Sequence, residues 1–280
     1  IEMKNKLIIT LMALLFTVSV SFAQTEPPLD GVYQKSNVRT ASVTSYAPLR
    51  EADVMWAKRV WRVIDLREKQ NLPMTYPRAK LIDVVMDAVL AGELTAYNPN
   101  PSGPKDFGDE FKVPMTPEEV AAIGAGSDTL DVEQLDGTFT KEISTRTLNR
   151  DDIVAYRLKE EWFFDKQRSI YEPRIIGVAP VYIMRNSSGE EVGKAPLFWI
   201  YFNDARKILA QAEVFNRQND AGRLSYDDFF VQRLFSSYIT KWSNEKDYRI
   251  EDYATGMDAL IEANRIKLEL FNKEHDLWEY

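Results

Sequence analysis

The most constraining feature of the chain is that none of its 280 residues is a cysteine. Disulfides, thiolate nucleophiles, iron–sulfur clusters and cysteine-based zinc sites are therefore excluded. The fold must be held together by a buried core, for which the 45% apolar content is sufficient. The chain also has a single histidine, so a metal site with two histidine ligands is excluded.

Residues 1–23 contain the pattern of a secretory signal peptide. Lys4 and Lys6 precede an apolar stretch, and this stretch ends in Ser21–Ala23, which matches the small-residue cleavage pattern. The alternative is a retained membrane anchor, but the apolar run is shorter than the ~20 residues that a spanning helix needs. We therefore predict cleavage before Gln24.

The composition of the mature chain limits its partners. A lipid anchor added after signal cleavage needs a cysteine, so we expect no direct membrane insertion and any membrane association to depend on a partner. The formal net charge of the full chain is −8, and removal of residues 1–23, which carry a net charge of +1, makes it −9. This negative charge argues against nucleic acid and against anionic membrane surfaces as general partners.

The sequence contains no nucleophile elbow, nucleotide-binding glycine loop or zinc-protease motif. The acidic loop 128–136 lacks the ligand spacing of a calcium loop. Asp151-Asp152 and Asp227-Asp228 fall in the first turns of predicted helices, where negative charge is stabilised. His275 lies near the end of the last predicted helix and is expected to be exposed. We therefore predict no catalytic residue, no cofactor and no metal site.

Apolar spacing predicts that helices dominate the fold. Residues 24–48 contain prolines without a regular period and are predicted to form an extended arm before a globular domain over 49–280. Predicted helices cover 50–71, 77–91, 150–168 and 250–275, with shorter ones after Thr116, Asn203 and Ser225.

The clearest predicted strands form an antiparallel hairpin over about residues 174–203. Residues 174–185 and 191–203 are rich in β-branched and aromatic side chains, and a turn sequence separates them. Pro180 and Pro196 predict breaks or edge positions in this hairpin. Residues 127–147 are predicted to be extended. The predicted fold class is therefore α+β, helix-dominated, with this hairpin and a long C-terminal helix.

A weak internal similarity relates residues 50–73 to residues 150–173. Identical pairs occur at positions 50/150, 54/154, 65/165 and 73/173. One interpretation is a duplicated helix unit, with similar halves at about 49–147 and 148–280. The other interpretation is coincidence.

Trp56 is the best candidate for an exposed binding residue. It lies beside the apolar stripe of the predicted helix 50–71, next to Arg59, and a large aromatic beside charged residues is typical of an interface. We predict a partner interface formed by Tyr33 of the arm with Trp56, Arg59 and Arg62. Local packing is the alternative for Trp56.

Several long and uncommon strings carry a family resemblance. They are READVMWAKRVWRVIDLREK at 50–69, LPMTYP at 72–77, EEWFFDKQRS at 160–169, LFWIYFNDARKILA at 197–210 and LSYDDFFVQRLFSSYI at 224–239. These strings resemble the gliding-motility and type IX secretion family GldN, called PorN in non-gliding relatives. The resemblance covers roughly residues 29–270 of the chain.

The resemblance implies a structural subunit in the periplasm rather than an enzyme. Family members assemble in a ring with an outer-membrane lipoprotein, GldK or PorK, at the inner face of the outer membrane. They also contact the periplasmic part of the motor protein GldM or PorM, and they support protein export across the outer membrane and gliding motility. The residues alone leave two alternatives, a periplasmic carboxylate-based glycan hydrolase and a secreted cargo protein or adhesin.

Overall fold

The computed structural model describes residues 32, 40–100, 108–123, 126–133, 139–146, 148–185, 190–219 and 221–278. The chain divides into two compact units, residues 1–36 and 37–280, and only Val32 of the first unit is described. The predicted signal peptide and nearly all of the predicted arm before Thr40 lie outside the described residues, so both remain predictions. No helix within the described ranges is both long and apolar enough to cross a membrane.

The second unit contains twelve described strands. In chain order these are β1 (Val54–Asp65), β2 (Ala96–Tyr97), β3 (Pro114–Met115), β4 (Gly126–Glu133), β5 (Phe139–Arg146), β6 (Ile153–Asp165), β7 (Ile170–Arg185), β8 (Glu191–Pro196), β9 (Trp199–Tyr201), β10 (Glu213–Val214), β11 (Leu224–Ser225) and β12 (Tyr238–Trp242). Eight of them form one antiparallel sheet in the order β12-β1-β6-β7-β9-β2-β3, with β8 also paired to β7. The pairs β4-β5 and β10-β11 are separate.

Five described helices accompany the sheet. They are α1 (Leu81–Leu90), α2 (Pro117–Ala122), α3 (Phe202–Gln211), α4 (Tyr226–Val231) and α5 (Met257–Trp278). Short 3-10 turns precede several of the longer elements, at Glu51–Asp53, Leu72–Thr75, Arg150–Asp152 and Ile250–Asp252.

The prediction of a helix-dominated fold is wrong. The predicted helices 50–71 and 150–168 are the central strands β1 and β6, which pair with each other along almost their whole length. Because the helices cover one face and residues 108–113 cover part of the other, apolar residues occur on both sides of each strand. Such residues produce spacings of three and four by coincidence, and these spacings resemble a helical stripe. The fold is therefore built on a sheet.

The elements with strong local signals are confirmed. Thr116 and Glu119 form a capping box at the start of α2, and the Ser225 side chain caps α4. Gly92 follows α1 with a φ of +76°, as expected for a left-handed helix end. The long C-terminal helix is α5. The predicted Asn203 cap is wrong, because α3 already begins at Phe202.

The predicted hairpin is confirmed in part as β7 paired with β8, but the predicted second strand, 191–203, is divided into β8 and β9 and ends where α3 begins. The predicted extended segment is confirmed as β4 and β5. Pro180 lies where β7 changes its partner, since β8 pairs with Val181 and the residues after it, whereas β9 pairs at Gly177 and Val178. A residue without an N–H suits this break in the ladder. Pro196 ends β8.

The two similar segments of the sequence occupy similar places in the sheet. Each forms a 3-10 turn followed by a long strand, and the two strands are antiparallel neighbours. Asp65 ends β1 and accepts hydrogen bonds from Arg67, and Asp165 ends β6 and accepts one from Arg168. These hydrogen bonds lower the pKa of both carboxyl groups. The predicted unit is a strand rather than a helix, and its duplication remains a prediction.

Two hydrophobic cores lie on one face of the sheet. The larger core packs α1, α3 and α4 against the sheet through residues such as Ile64, Leu81, Tyr156, Leu158, Phe202 and Phe230. The smaller core packs α5 against β1 and β12 through Val60, Ile239, Ile250, Ala263, Ile266 and Leu270.

A buried ion cluster separates the two cores. Glu160 is fully buried on β6, between Leu158 of the larger core and Trp162, which packs against the smaller one. Its Oε2 lies 3.1 Å from Arg62 Nε, and its Oε1 lies 3.0 Å from Arg233 Nη1. Trp162 Nε1 donates to the same carboxylate at 3.2 Å. Two arginines therefore balance one buried charge.

The strap, residues 108–113, covers part of the opposite face of the sheet. Trp61 Nε1 donates to Asp109 Oδ2, and Lys159 Nζ donates to the Asp109 carbonyl at 2.6 Å. Phe111 lies over Gly177, where a Cβ atom would be only 2.4 Å from the Phe111 Cζ. The glycine in β7 therefore makes room for the strap.

We expect Glu160→Gln to destabilise the protein by about 3–5 kcal/mol, because it leaves two arginines without a balancing charge inside the fold. Chemical denaturation followed by tryptophan fluorescence measures this change. The matched control is Glu161→Gln on the same strand, where the carboxylate pairs at 3.5 Å with the exposed Arg59. The control should cost no more than about 1 kcal/mol. Equal effects of the two substitutions would contradict the role given to the buried cluster.

Candidate functional site

Trp56 lies on the same face of β1 as Val60 and is half-buried beside the smaller core. Its ring centroid is 5.6 Å from that of Tyr171, which in turn lies 5.4 Å from Trp162. Trp56 thus closes one end of the core while part of its ring remains accessible. Its predicted role in an interface remains a prediction.

The structure separates the other predicted interface residues. Because side chains alternate along a strand, Arg59 points to the opposite face from Trp56 and Arg62. The Arg59 side chain is 56% exposed, whereas that of Arg62 is buried against Glu160. Burial lowers the pKa of Arg62, and the Glu160 charge acts in the opposite direction. Trp56, Arg59 and Arg62 therefore do not form the single face that a helix would give. Tyr33 lies outside the described residues.

An aromatic groove joins Trp56 to the C-terminal helix. The groove has a volume of about 450 Å³ and lies between β1, β12 and α5. Lys58 Nζ is 4.3 Å above the Trp242 ring, and Arg265 Cζ is 5.8 Å from the same ring. Leu268 of α5 forms part of the wall. The groove can therefore accept an apolar side chain next to two cations.

The outer row of α5 is formed by Met257, Ile261, Leu268 and Phe271, together with Leu260 beside them. These five side chains are between 52% and 70% exposed. The opposite face of the helix is buried in the smaller core. The row follows the alternating spacing of three and four that helices use to pack side by side, with Asn264 at the intervening position. An exposed apolar row of this kind, interrupted only at Asn264, is typical of a protein–protein contact.

The end of the predicted arm is anchored on the globular unit. Arg206 Cζ lies 4.2 Å from the Tyr46 ring centroid and Arg174 Cζ lies 5.0 Å from it. Arg174 Nη2 also donates to the Ala47 carbonyl at 3.1 Å. Arg206 is fixed in turn by Asp227, through hydrogen bonds of 2.8 and 3.0 Å. Tyr46 is therefore held in place on the globular unit.

The acidic pairs singled out in the sequence are held by neighbouring groups. Asp151 pairs with Lys80, Asp152 with Arg185, and Asp227 with Arg206. Asp228 accepts from Ser225 at the start of α4. Among the residues that the structure describes, no group of three or more histidine or acidic residues could hold a metal ion. The side chains of the acidic loop 128–136 lie outside this description.

The sequence analysis did not predict two features of the structure. The outer row of α5 follows a regular spacing that was visible in the sequence, although the inner stripe of the same helix obscured it. Arg233, by contrast, lies in a short connection after α4 and meets Glu160 only through the tertiary fold. No local pattern in the sequence indicates that contact.

Comparison with models of protein families gives a match over most of the chain. The family described as GldN, gliding motility associated protein GldN, matches residues 49–279. This range contains the whole sheet, the aromatic groove and the outer row. A comparison with curated proteins finds no match.

Proposed function

The chain belongs to the GldN family of gliding motility associated proteins, and on that premise we propose that it is a non-enzymatic structural subunit that assembles in the periplasm. Members of this family are components of the gliding and type IX secretion machinery. The proposed assembly is a ring at the inner face of the outer membrane. In it, the subunit contacts the lipoprotein GldK or PorK and the periplasmic part of the motor protein GldM or PorM.

The observation that carries the assembly role is the outer row of α5. It adjoins the aromatic groove, because Leu268 belongs to the row and also lines the groove with Trp56. Together they form one apolar surface bordered by the cations Lys58 and Arg265. Covering a surface of this kind with a partner is favourable, because it removes apolar area from water.

A ring requires each copy to present two different surfaces to its neighbours, since head-to-tail contacts join unlike patches. We assign one of these surfaces to the outer row of α5. We assign the second contact to the arm before Tyr46, which crosses to the neighbouring copy. The fixed point at Tyr46 supports this assignment, because it sets where the arm leaves the subunit.

Attachment to the outer membrane is assigned to the lipoprotein. The chain has no cysteine to carry a lipid, so in this proposal its association with the outer membrane depends on a partner. Cell fractionation with and without the lipoprotein tests it. We expect the protein in the outer-membrane fraction when the lipoprotein is present and in the soluble periplasmic fraction when it is deleted. A protein that remains with the membrane after the deletion, or that appears in the culture medium, would refute the proposal.

We expect Leu268→Glu to prevent ring assembly while leaving the fold intact. A charge in the centre of the outer row must be desolvated when the neighbour covers it, whereas in the free subunit it faces water. Co-expression with the lipoprotein, followed by size-exclusion chromatography and electron microscopy, measures the assembly. The free energy of unfolding should change by no more than about 1 kcal/mol, since the side chain is already half exposed.

The matched control for this substitution is Val192→Glu on β8, which also places a carboxylate at an exposed apolar position. It should form rings of the usual size. If Leu268→Glu also forms them, the outer row does not contact a neighbour. If Leu268→Glu instead loses the lipoprotein but still self-associates, the row belongs to the lipoprotein contact and our assignment is wrong.

Deletion of residues 24–45 tests the arm separately. The truncation stops before Tyr46, so its contacts with Arg174 and Arg206 are kept and the globular unit should retain its melting temperature. We expect the truncated protein to bind the lipoprotein but to form only small assemblies, because one of the two neighbour contacts is lost. Full-size rings from the truncated protein would show that the arm is not needed.

A further inference from the structure

A cleft lies beside the strap and extends past β12 to the smaller core, since Ile239, Ile250 and Ala263 also line it. Its volume is about 510 Å³. Val63, Ala155 and Val181 contribute to its lining from three neighbouring strands, and Trp61 and Trp199 contribute aromatic rings. The floor of the cleft is therefore apolar and belongs to the rigid part of the sheet.

Arg157 lies in the middle of this floor. On β6 it is directly opposite Val63 of β1, and Val63 is opposite Tyr238 of β12. On its other side Arg157 is opposite Ala179 of β7. Directly opposed residues of an antiparallel pair share a face of the sheet. Val63 and Ala179 have smaller side chains than Arg157, so the Arg157 guanidinium extends past them into the cleft.

Two hydrogen-bond donors in the cleft have no acceptor. Among the described residues, no hydrogen bond or ion pair of the Arg157 side chain is found, although the side chain is half-buried. Burial lowers the pKa of this guanidinium and the neighbouring Arg249 lowers it further, whereas the charge of Glu251 acts in the opposite direction. Trp199 is 97% buried, with a relative exposure of 3%, and its Nε1 is a buried donor without a partner. Unpartnered buried donors are uncommon and costly in native proteins.

The carboxylates around the cleft are already engaged. The Asp65 carboxylate is paired with Arg67, that of Asp109 with Trp61 and Lys159, and that of Glu251 with Arg249. Lys241, another lining residue, is paired with Asp247. The exposed Lys194 adds a further positive charge at the rim. The cleft therefore has an apolar floor and an excess of positive charge. Among the described residues, each carboxylate that lines it is already paired, and none accepts a hydrogen bond from Arg157 or Trp199.

We propose that this cleft binds a carboxylate carried on a small apolar body, with Arg157 and Trp199 Nε1 as donors to its oxygen atoms. A guanidinium presents paired N–H groups that match a carboxylate, and such charge-assisted hydrogen bonds are among the strongest in proteins. The apolar body packs against the floor and the two tryptophan rings. Leu260 of the outer row also lines the cleft. The two proposed donors belong to neither the outer row nor the arm, so carboxylate binding can be tested separately from assembly.

A carboxylate of this kind can come from the C-terminus of a peptide or from a free small acid. Calorimetric titration of the full chain with three probes distinguishes these sources. The probes are N-acetyl-trialanine with a free C-terminal carboxylate, the same peptide as its amide, and butyrate. We expect the free-acid peptide to bind and the amide to bind at least about tenfold more weakly, because the amide has no charge. Butyrate binding as tightly as the peptide would assign the site to free acids, and weaker butyrate binding would assign it to chain termini.

Substitutions identify the groups responsible. Arg157→Gln should weaken the binding of the free-acid peptide at least about tenfold. Trp199→Phe keeps most of the ring and removes only the donor, so it should weaken binding severalfold. The matched control is Arg217→Gln, which makes the same chemical change at an exposed position outside the cleft. It should bind as the unchanged protein does.

Thermal denaturation shows whether the variants fold. Arg157→Gln should melt no lower than the unchanged protein, because it removes an unpaired charge. If it fails to fold, the Trp199→Phe result decides the question. The proposal is wrong if neither carboxylate probe binds at concentrations up to about 10 mM. It is also wrong if a folded Arg157→Gln binds the peptide as tightly as the unchanged protein.

Discussion

The carboxylate of Glu160 connects the parts of this fold. It lies fully buried at the centre of the sheet, with Arg62 of the neighbouring strand on one side and Arg233 of the connection after α4 on the other. The larger core begins on one side of it and the smaller core on the other. A buried charge is tolerated only when its partners are in place. The fold therefore requires β1, β6 and the segment before β12 to be correctly placed at the same time. The packing of α5, and with it the outer row, depends on this alignment.

The sequence signals that mark the ends of helices were reliable, because they depend only on local interactions. The capping box of Thr116, the cap at Ser225 and the glycine after α1 each depend on interactions within one turn of chain, so sequence patterns predict them. The prediction of helices in place of β1 and β6 failed for the opposite reason. Arg62, Lys159 and Glu160 look like solvent-facing residues in the sequence, yet they are buried because their partners come from distant segments. Burial of that kind is a property of the tertiary fold.

The candidate sites show the same division. Trp56 stood out in the sequence because a large aromatic next to charges is unusual, and the structure places it at an accessible groove. Its grouping with Arg59 and Arg62 failed because it assumed the periodicity of a helix. The unpartnered donors Arg157 and Trp199 could not be recognised at all, since the lack of an acceptor is defined only by three-dimensional neighbours.

The pairing of β1 has a consequence for the time course of folding. Val60 is opposite Glu160 on one side and Trp242 on the other, which are about 100 and about 180 residues later in the chain, and long loops must close before such pairs form. β1 is the second strand from the edge of the sheet, and it is synthesised long before either of its neighbours. Until the last 40 or so residues are available, β1 has an open edge and an uncovered apolar face. A chaperone that shields this strand during synthesis would therefore be of most use before α5 is present.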